Sequence, residues 1–373
     1  MHKRVTMLVA TPLVAVAALV GARRWQSAPA AWDARSAASY LDGRATWWLG
    51  WRSAARDHGT TCVSCHTAVP FALSRPLLRA ALSEREPKDA ERRVIENVVK
   101  RVRLWNEVEP FYPDQTVGLP KTSESRGTEA VLNALILSQR DAAVGTLSDD
   151  TRQALANLWP LQFRTGDLKG AWAWLTFKLE PWEGVSSAYY GASLAAIAVG
   201  GAPGGYASTP DVAERIAALR DFLKRGSDTA STFSKVMVLW ASSYLPDVLD
   251  AHQRDAIVDT LTRKQRPDGG WSIASLAAWT RRDGTTLPDA SDGYATGLVL
   301  LALQRAGPPM TDSRVRTGLD WLSTHQDPST GMWPASSLNK QRDPATDAGK
   351  FMSDAATAFA VMALSYRATA GGK

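Results

Sequence analysis

From about position 89 onward the chain alternates two kinds of helical segment, and this alternation restricts its possible folds more than any other feature. Five segments with a polar face lie at 89–105, 148–163, 209–226, 250–265 and 311–326, each with apolar residues at helical spacing. Several open on N-capping residues, as in Ser148-Asp149-Asp150, Thr209-Pro210-Asp211 and Thr311-Asp312-Ser313. Between them run five smoother, more apolar segments at 128–137, 186–199, 231–245, 291–304 and 353–366. Most units begin about 60 residues apart, with a shorter one near 209. A helix with one polar face lies at a surface, whereas one apolar all round must be enclosed. The pattern predicts an all-α protein with inner apolar helices inside an outer, polar-faced layer.

The last two units agree in detail. Gln265-Arg266-Pro267-Asp268-Gly269-Gly270-Trp271 ends one outer segment, and Gln326 through Gly331-Met332-Trp333 ends the next. Each is followed by an Ala- and Thr-containing apolar helix, from Ala295-Thr296-Gly297 and from Ala356-Thr357-Ala358. A looser copy runs from Gln162 to Gly170-Ala171-Trp172.

Gln followed by Gly-x-Trp at a helix end, then an apolar helix, resembles the repeats of the squalene–hopene cyclase and prenyltransferase α/α-toroid superfamily. The resemblance covers roughly residues 90–373. It implies an α/α toroid, a barrel of inner and outer helices, over 89–373. It also implies that Gln265, Trp271, Gln326 and Trp333 tie neighbouring turns together. The acidic Asp-x-Asp-Asp motif with which hopene cyclases protonate an alkene does not occur; Asp289-Ala290-Ser291-Asp292 has the wrong spacing. The resemblance therefore supports the fold more than the cyclase activity. Glu129, Asp292 and Asp354 stand near inner-helix starts, and Glu180 and Glu183 flank Pro181-Trp182. In a toroid such positions converge on the cavity mouth, so Asp292, Asp354, Glu129 and Glu183 are candidate catalytic carboxylates; helix-dipole and capping roles are the preferred explanation. Arg282-Asp283 and Arg342-Asp343 read as loop-fixing ion pairs. Trp172, Trp174, Trp182 and Trp279 are candidates to line a cavity for an apolar small molecule, or to pack the core.

The two cysteines of the chain both fall in Thr61-Cys62-Val63-Ser64-Cys65-His66-Thr67. This is the C-x-x-C-H pattern of covalent haem c attachment. Two thiols three positions apart on a helical turn can add to the two vinyl groups of one porphyrin, with the adjacent imidazole under the iron. Cys62 and Cys65 are thus the expected anchors and His66 the axial iron ligand. A structural disulfide or a dithiol redox pair competes, while zinc would need further ligands. The second axial ligand is left open among Met237, Met310, Met332, Met352, Met362, His58, His252 and His325, or the iron is five-coordinate. Combined with the repeats, the motif looks like a group of bacterial haem-bearing, cyclase-like proteins. Trp47, Trp48 and Trp51 precede it, and the apolar run from Pro70 to Leu78 follows.

The chain starts Met1-His2-Lys3-Arg4, continues with an apolar run to Ala22, and reaches Ala28-Pro29-Ala30. Residues 1–30 read as an export signal, long enough also to remain as an inner-membrane anchor. The rest is expected to be periplasmic or exported, with a haem-bearing helical segment at 31–88 that can close the ring as a sixth pair. The net charge of +6 is spread along the chain, which argues against nucleic acid as a partner. The favoured function is electron transfer with a redox partner protein, or redox chemistry on a small or apolar molecule. The alternative is a terpenoid- or lipid-binding protein without a redox role.

Overall fold

The computed structural model describes residues 32–114, 120–308 and 311–366. Among them the protein is predominantly helical, its helices joined by loops with almost no strand. Its one sheet is a two-stranded antiparallel ladder of β1 (Ala55–Arg56) and β2 (Thr60–Thr61). Twelve α-helices carry the fold: α1 (Ala34–Gly50), α2 (Ala68–Ala81), α3 (Asp89–Arg103), α4 (Lys121–Ala142), α5 (Asp149–Leu158) and α6 (Ser187–Gly201), then α7 (Ala213–Gly226), α8 (Thr232–Ser242), α9 (Ala251–Arg263), α10 (Gly293–Ala306), α11 (Ser313–Thr324) and α12 (Phe351–Leu364).

The two kinds of segment separate by burial. Helix α10 buries twelve of its fourteen residues, whereas α9 buries two of thirteen. The even-numbered helices are the enclosed set. Helix α2 packs on α4, α4 on α6, α6 on α8, α8 on α10, α10 on α12, and α12 packs back on α2. Each odd-numbered helix from α3 on lies against the even one that precedes it in sequence, as α5 on α4 and α9 on α8, and α1 lies against α12; α1, α3 and α11 also touch the even helix that follows. The segment before position 88 is therefore a helix pair of the same kind, set between α12 on one side and α3 and α4 on the other.

One device recurs three times at the ends of outer helices. Gln162, Gln265 and Gln326 each donate from the side-chain amide to a carbonyl in their own loop, Gly170, Gly269 and Gly331 at 3.0, 2.8 and 2.8 Å. The same amide reaches the next outer segment: the carbonyls of Arg215, Arg314 and Asp33 at 3.0, 2.8 and 3.0 Å. The tryptophan that follows donates its indole N–H into the last turn of the outer helix just ended, Trp172 to Leu158, Trp271 to Leu261 and Trp333 to Leu322. The glycine adopts positive φ, +77° at Gly331, and a Cβ there would lie 2.4 Å from the Ser36 backbone of α1. Only glycine satisfies both the turn and the close approach.

Three local readings need correction. Helix α4 starts at Lys121, not near 128, because buried Lys121 binds Glu124 at 2.5 Å and the Thr176 carbonyl at 2.8 Å. Thr209 makes no side-chain cap, whereas Asp312 caps α11 as expected of that segment, accepting from the Arg314 N–H. Arg282 and Asp283 fix loops through backbone hydrogen bonds instead of an ion pair: Arg282 to the Phe177 carbonyl at 2.7 Å, Asp283 from the Gln341 N–H at 2.7 Å. The export or anchor reading of 1–30 lies outside the described residues. Among those described, no helix is long and apolar enough to cross a membrane.

Candidate functional site around Cys62, Cys65 and His66

The motif occupies the loop between outer α1 and inner α2. His58 and Gly59, both at positive φ, turn the chain between β1 and β2. The ladder pairs Ala55 with Thr61, and the Cys62 N–H then donates to the Ala54 carbonyl at 2.8 Å. Asn97 of α3 clamps Thr61 from the side, accepting from its N–H at 2.8 Å and donating to its carbonyl at 2.9 Å. Trp48 donates to the Cys62 carbonyl at 2.7 Å. Ser64 accepts from the N–H groups of Thr67 and Ala68, which starts α2. The expected helical turn through both cysteines is only half present: Cys62 to Ser64 run without regular structure, and the turn covers Cys65 to Thr67.

Both thiols are buried and unpaired. Burial pushes the Cys62 thiol up to about 12 and Cys65 well up, and the nearby Glu183 charge adds to both. His66 is half-buried, with its imidazole pushed down to about 3 by burial first and by the Arg44 charge second. The ring is therefore neutral at physiological pH, with one N–H and one lone pair.

Which nitrogen holds the proton follows from its partners. Thr67 Oγ1 donates to Asp354 Oδ2 at 2.8 Å, so toward His66 Nδ1, also at 2.8 Å, it can only accept. This assigns the proton to Nδ1 and leaves the Nε2 lone pair as a metal-donor atom. Asp354 is fixed in turn by Arg44 Nε at 2.7 Å and Tyr40 OH at 2.8 Å, and Arg44 also pairs with Asp347 at 2.7 Å. Burial raises the proton affinity of Asp354, and the Arg44 guanidinium draws it down. Phe351 stacks on the His66 ring at 3.9 Å, Trp48 meets it edge-on at 4.9 Å, and Trp182 lies 5.6 Å away. Trp47 and Trp51 complete this cluster.

The four candidate carboxylates therefore separate. Asp354 joins His66 through Thr67, and Glu183 stands close enough to the thiols to act on them, itself pushed up to about 7 by burial. Asp292 caps α10, accepting from Ala295 and Ile273 N–H groups at 2.9 and 2.6 Å. Glu129 lies within α4, not at its start, in a buried two-point ion pair with Arg101 at 2.5 and 3.1 Å. The backbone of Glu180 is pinned by Asn339.

The other iron-ligand candidates are scattered. Met237, Met332, Met352 and Met362 are buried in the core, and Met310 lies outside the described residues. His58 is exposed beside Asp57, His252 is exposed on α9, and His325 stacks on Trp321 at 4.1 Å. Among the described residues no three His, Cys, Asp or Glu side chains gather as a metal cluster. Trp172 is fixed by its bond to Leu158, while Trp182, Tyr294, Phe233 and Trp279 form a run of adjoining rings leading away from His66. Among the described residues, the indole N–H of Trp182 and the hydroxyl of Tyr294 are buried without hydrogen-bond partners.

Two unpaired thiols and a neutral imidazole with its Nδ1 proton committed are the donor set that a covalently bound haem would use, and buried polar atoms without partners among the described residues lie beside them. Comparison with protein-family models and with curated proteins returns no match for the chain.

Proposed function

We propose that this chain is an exported c-type cytochrome carrying one haem on Cys62 and Cys65, with His66 Nε2 as axial iron ligand. The observation that carries the reading is the line His66–Thr67–Asp354, which sets the imidazole in the tautomer an iron ligand needs, next to two unpaired thiols. Haem c bound there supplies a one-electron iron centre. The chain's own residues do the rest: Thr67 and Asp354 orient the imidazole and make it a stronger donor, while Phe351 and Trp48 wall its ring from water.

The fold we propose for it is an α/α toroid of six helix pairs, α1–α2 through α11–α12. Its support is the unbroken succession of contacts among the even-numbered helices and the repeated Gln-to-next-unit bond that returns to Asp33. The function is electron transfer with a partner protein or redox chemistry on a small molecule.

Reduced-minus-oxidised absorption spectra and an alkaline pyridine assay, on protein produced with a haem-attachment system, test the reading. A c-type signal that resists acid–acetone extraction and is lost in Cys62→Ala/Cys65→Ala supports it. Well-folded exported protein without such a signal overturns it.

A further inference from the structure

Away from the motif loop, a cavity of about 420 Å³ lies among the later turns of several inner helices and the outer helix α3. Its walls are apolar: Phe71 and Leu77 of α2, Val94 and Ile95 of α3, Trp240 of α8 and Met362 of α12. The volume is in the range of ligand sites. At roughly 30 Å³ for each water-sized group it matches a chain of about a dozen carbons.

The rim is cationic. Arg79, Arg92, Arg140 and Arg305 line it against two carboxylates, Glu91 and Glu96. Three of the arginines are engaged: Arg79 with Glu91, Arg92 with the Pro87 carbonyl, Arg140 with Asp141 and Ser148. Arg305 differs. Its guanidinium lies over the rings of Tyr244 and Tyr366, 5.1 and 5.4 Å from their centres, and makes no ion pair among the described residues. Its Nε is buried without a hydrogen-bond partner among the described residues. Beside it in the wall, Trp240 is 3% exposed, and its indole N–H has no hydrogen-bond partner among the described residues either. Cations are favoured at helix C-termini, which accounts for arginines in the last turns of α4 and α10. It does not account for two buried donors left unbonded in the wall of an apolar cavity, an arrangement that costs stability unless an acceptor meets them.

We infer that this cavity binds a single-chain amphiphile with an anionic head, its aliphatic tail against Phe71, Val94 and Met362 and its head on Arg305 and Trp240 Nε1. The shared chemistry is an oxyanion on a chain of about twelve carbons; a fatty carboxylate and an alkyl phosphate both supply it. The inference stands apart from the haem reading.

Calorimetric titration of the full chain with dodecanoate, dodecyl phosphate and dodecyltrimethylammonium, each below its micelle concentration, tests it. Saturable binding of an anionic chain is expected, weakened about tenfold or more in Arg305→Gln and lost in Ala72→Trp, whose indole fills the cavity. The tighter of the two anions identifies the head group. Circular dichroism of both variants must match the parent. Absence of saturable binding, equal affinity for the cationic chain, or an unchanged affinity in folded Arg305→Gln overturns the inference.

Discussion

Gln326 grips Asp33 across 293 positions of sequence, donating to its carbonyl at 3.0 Å and accepting from its N–H at 2.6 Å. Gln265 and Gln162 make the corresponding reach to Arg314 and Arg215, but there the partner lies about 50 residues on. The same side chain that links neighbours elsewhere joins the last outer helix to the first.

Gln326→Ala removes three hydrogen bonds and is expected to destabilise by about 1–3 kcal/mol. Gln265→Ala should cost a similar amount. The two differ in where the loss appears: proteolysis of Gln326→Ala should open first at α1. Denaturant unfolding and time-resolved proteolysis check both expectations.

Gly331→Ala should be far more damaging than Gly284→Ala, although both sites have positive φ, +77° and +70°. At Gly284 nothing lies within 4 Å of a new Cβ, so only backbone strain of roughly 1–2 kcal/mol is at stake. At Gly331 the methyl meets the Ser36 backbone at 2.4 Å. A loss of about 3 kcal/mol or more is expected there, and thermal unfolding of the pair measures it.

Arg101→Met leaves the buried Glu129 carboxylate with only the longer 3.8 Å contact to Arg126 and is expected to cost about 3–5 kcal/mol. Arg101→Met/Glu129→Leu should recover much of that loss, because both desolvated charges are then gone. A double-mutant cycle measures the coupling.

Glu183 gives a pH dependence with a definite sign. Burial pushes its carboxyl up to about 7, above the ordinary glutamate value of 4.5, so the folded state binds the proton more tightly. The unfavourable contribution is absent at low pH, grows as pH rises through 4.5, and is complete above about 7. Its upper bound is about 3 kcal/mol. Glu183→Gln should therefore gain stability relative to the parent as pH rises across that window. Unfolding at pH 4.5 and pH 8 checks it; a constant difference would exclude the carboxyl as the cause.

In haem-loaded protein, Thr67→Val removes the acceptor for His66 Nδ1–H. A weaker-donating imidazole stabilises the oxidised iron less, so the midpoint potential should rise. Thr67→Ser keeps the acceptor and should leave it nearly unchanged. Spectroelectrochemical titration of both reads the outcome.

Helical periodicity located ten of the twelve helices because burial is written into their composition: α6, α10 and α12 are apolar nearly all round, and α9 and α11 are not. It missed the start of α4, where Lys121 and Glu124 look like loop residues and are held by a tertiary partner, Thr176. The cysteines and His66 were legible as a local motif. The groups that orient His66 were not, since Asp354, Arg44 and Phe351 reach it from α12 and α1 and no local pattern joins them. Asp354 and Glu129 looked alike in sequence, as acids beside inner-helix starts; their different partners are a matter of tertiary contact.

Thr67 precedes Asp354 by 287 residues. Synthesis runs from the N-terminus and domains form as the chain appears, so the motif is complete long before the carboxylate that will hold it. Any chemistry done on the Cys62 and Cys65 thiols during that interval meets an open loop and an imidazole whose tautomer is not yet set. Arrival of α12 then converts an accessible peptide into an enclosed site. The order of events is imposed by the distance along the chain.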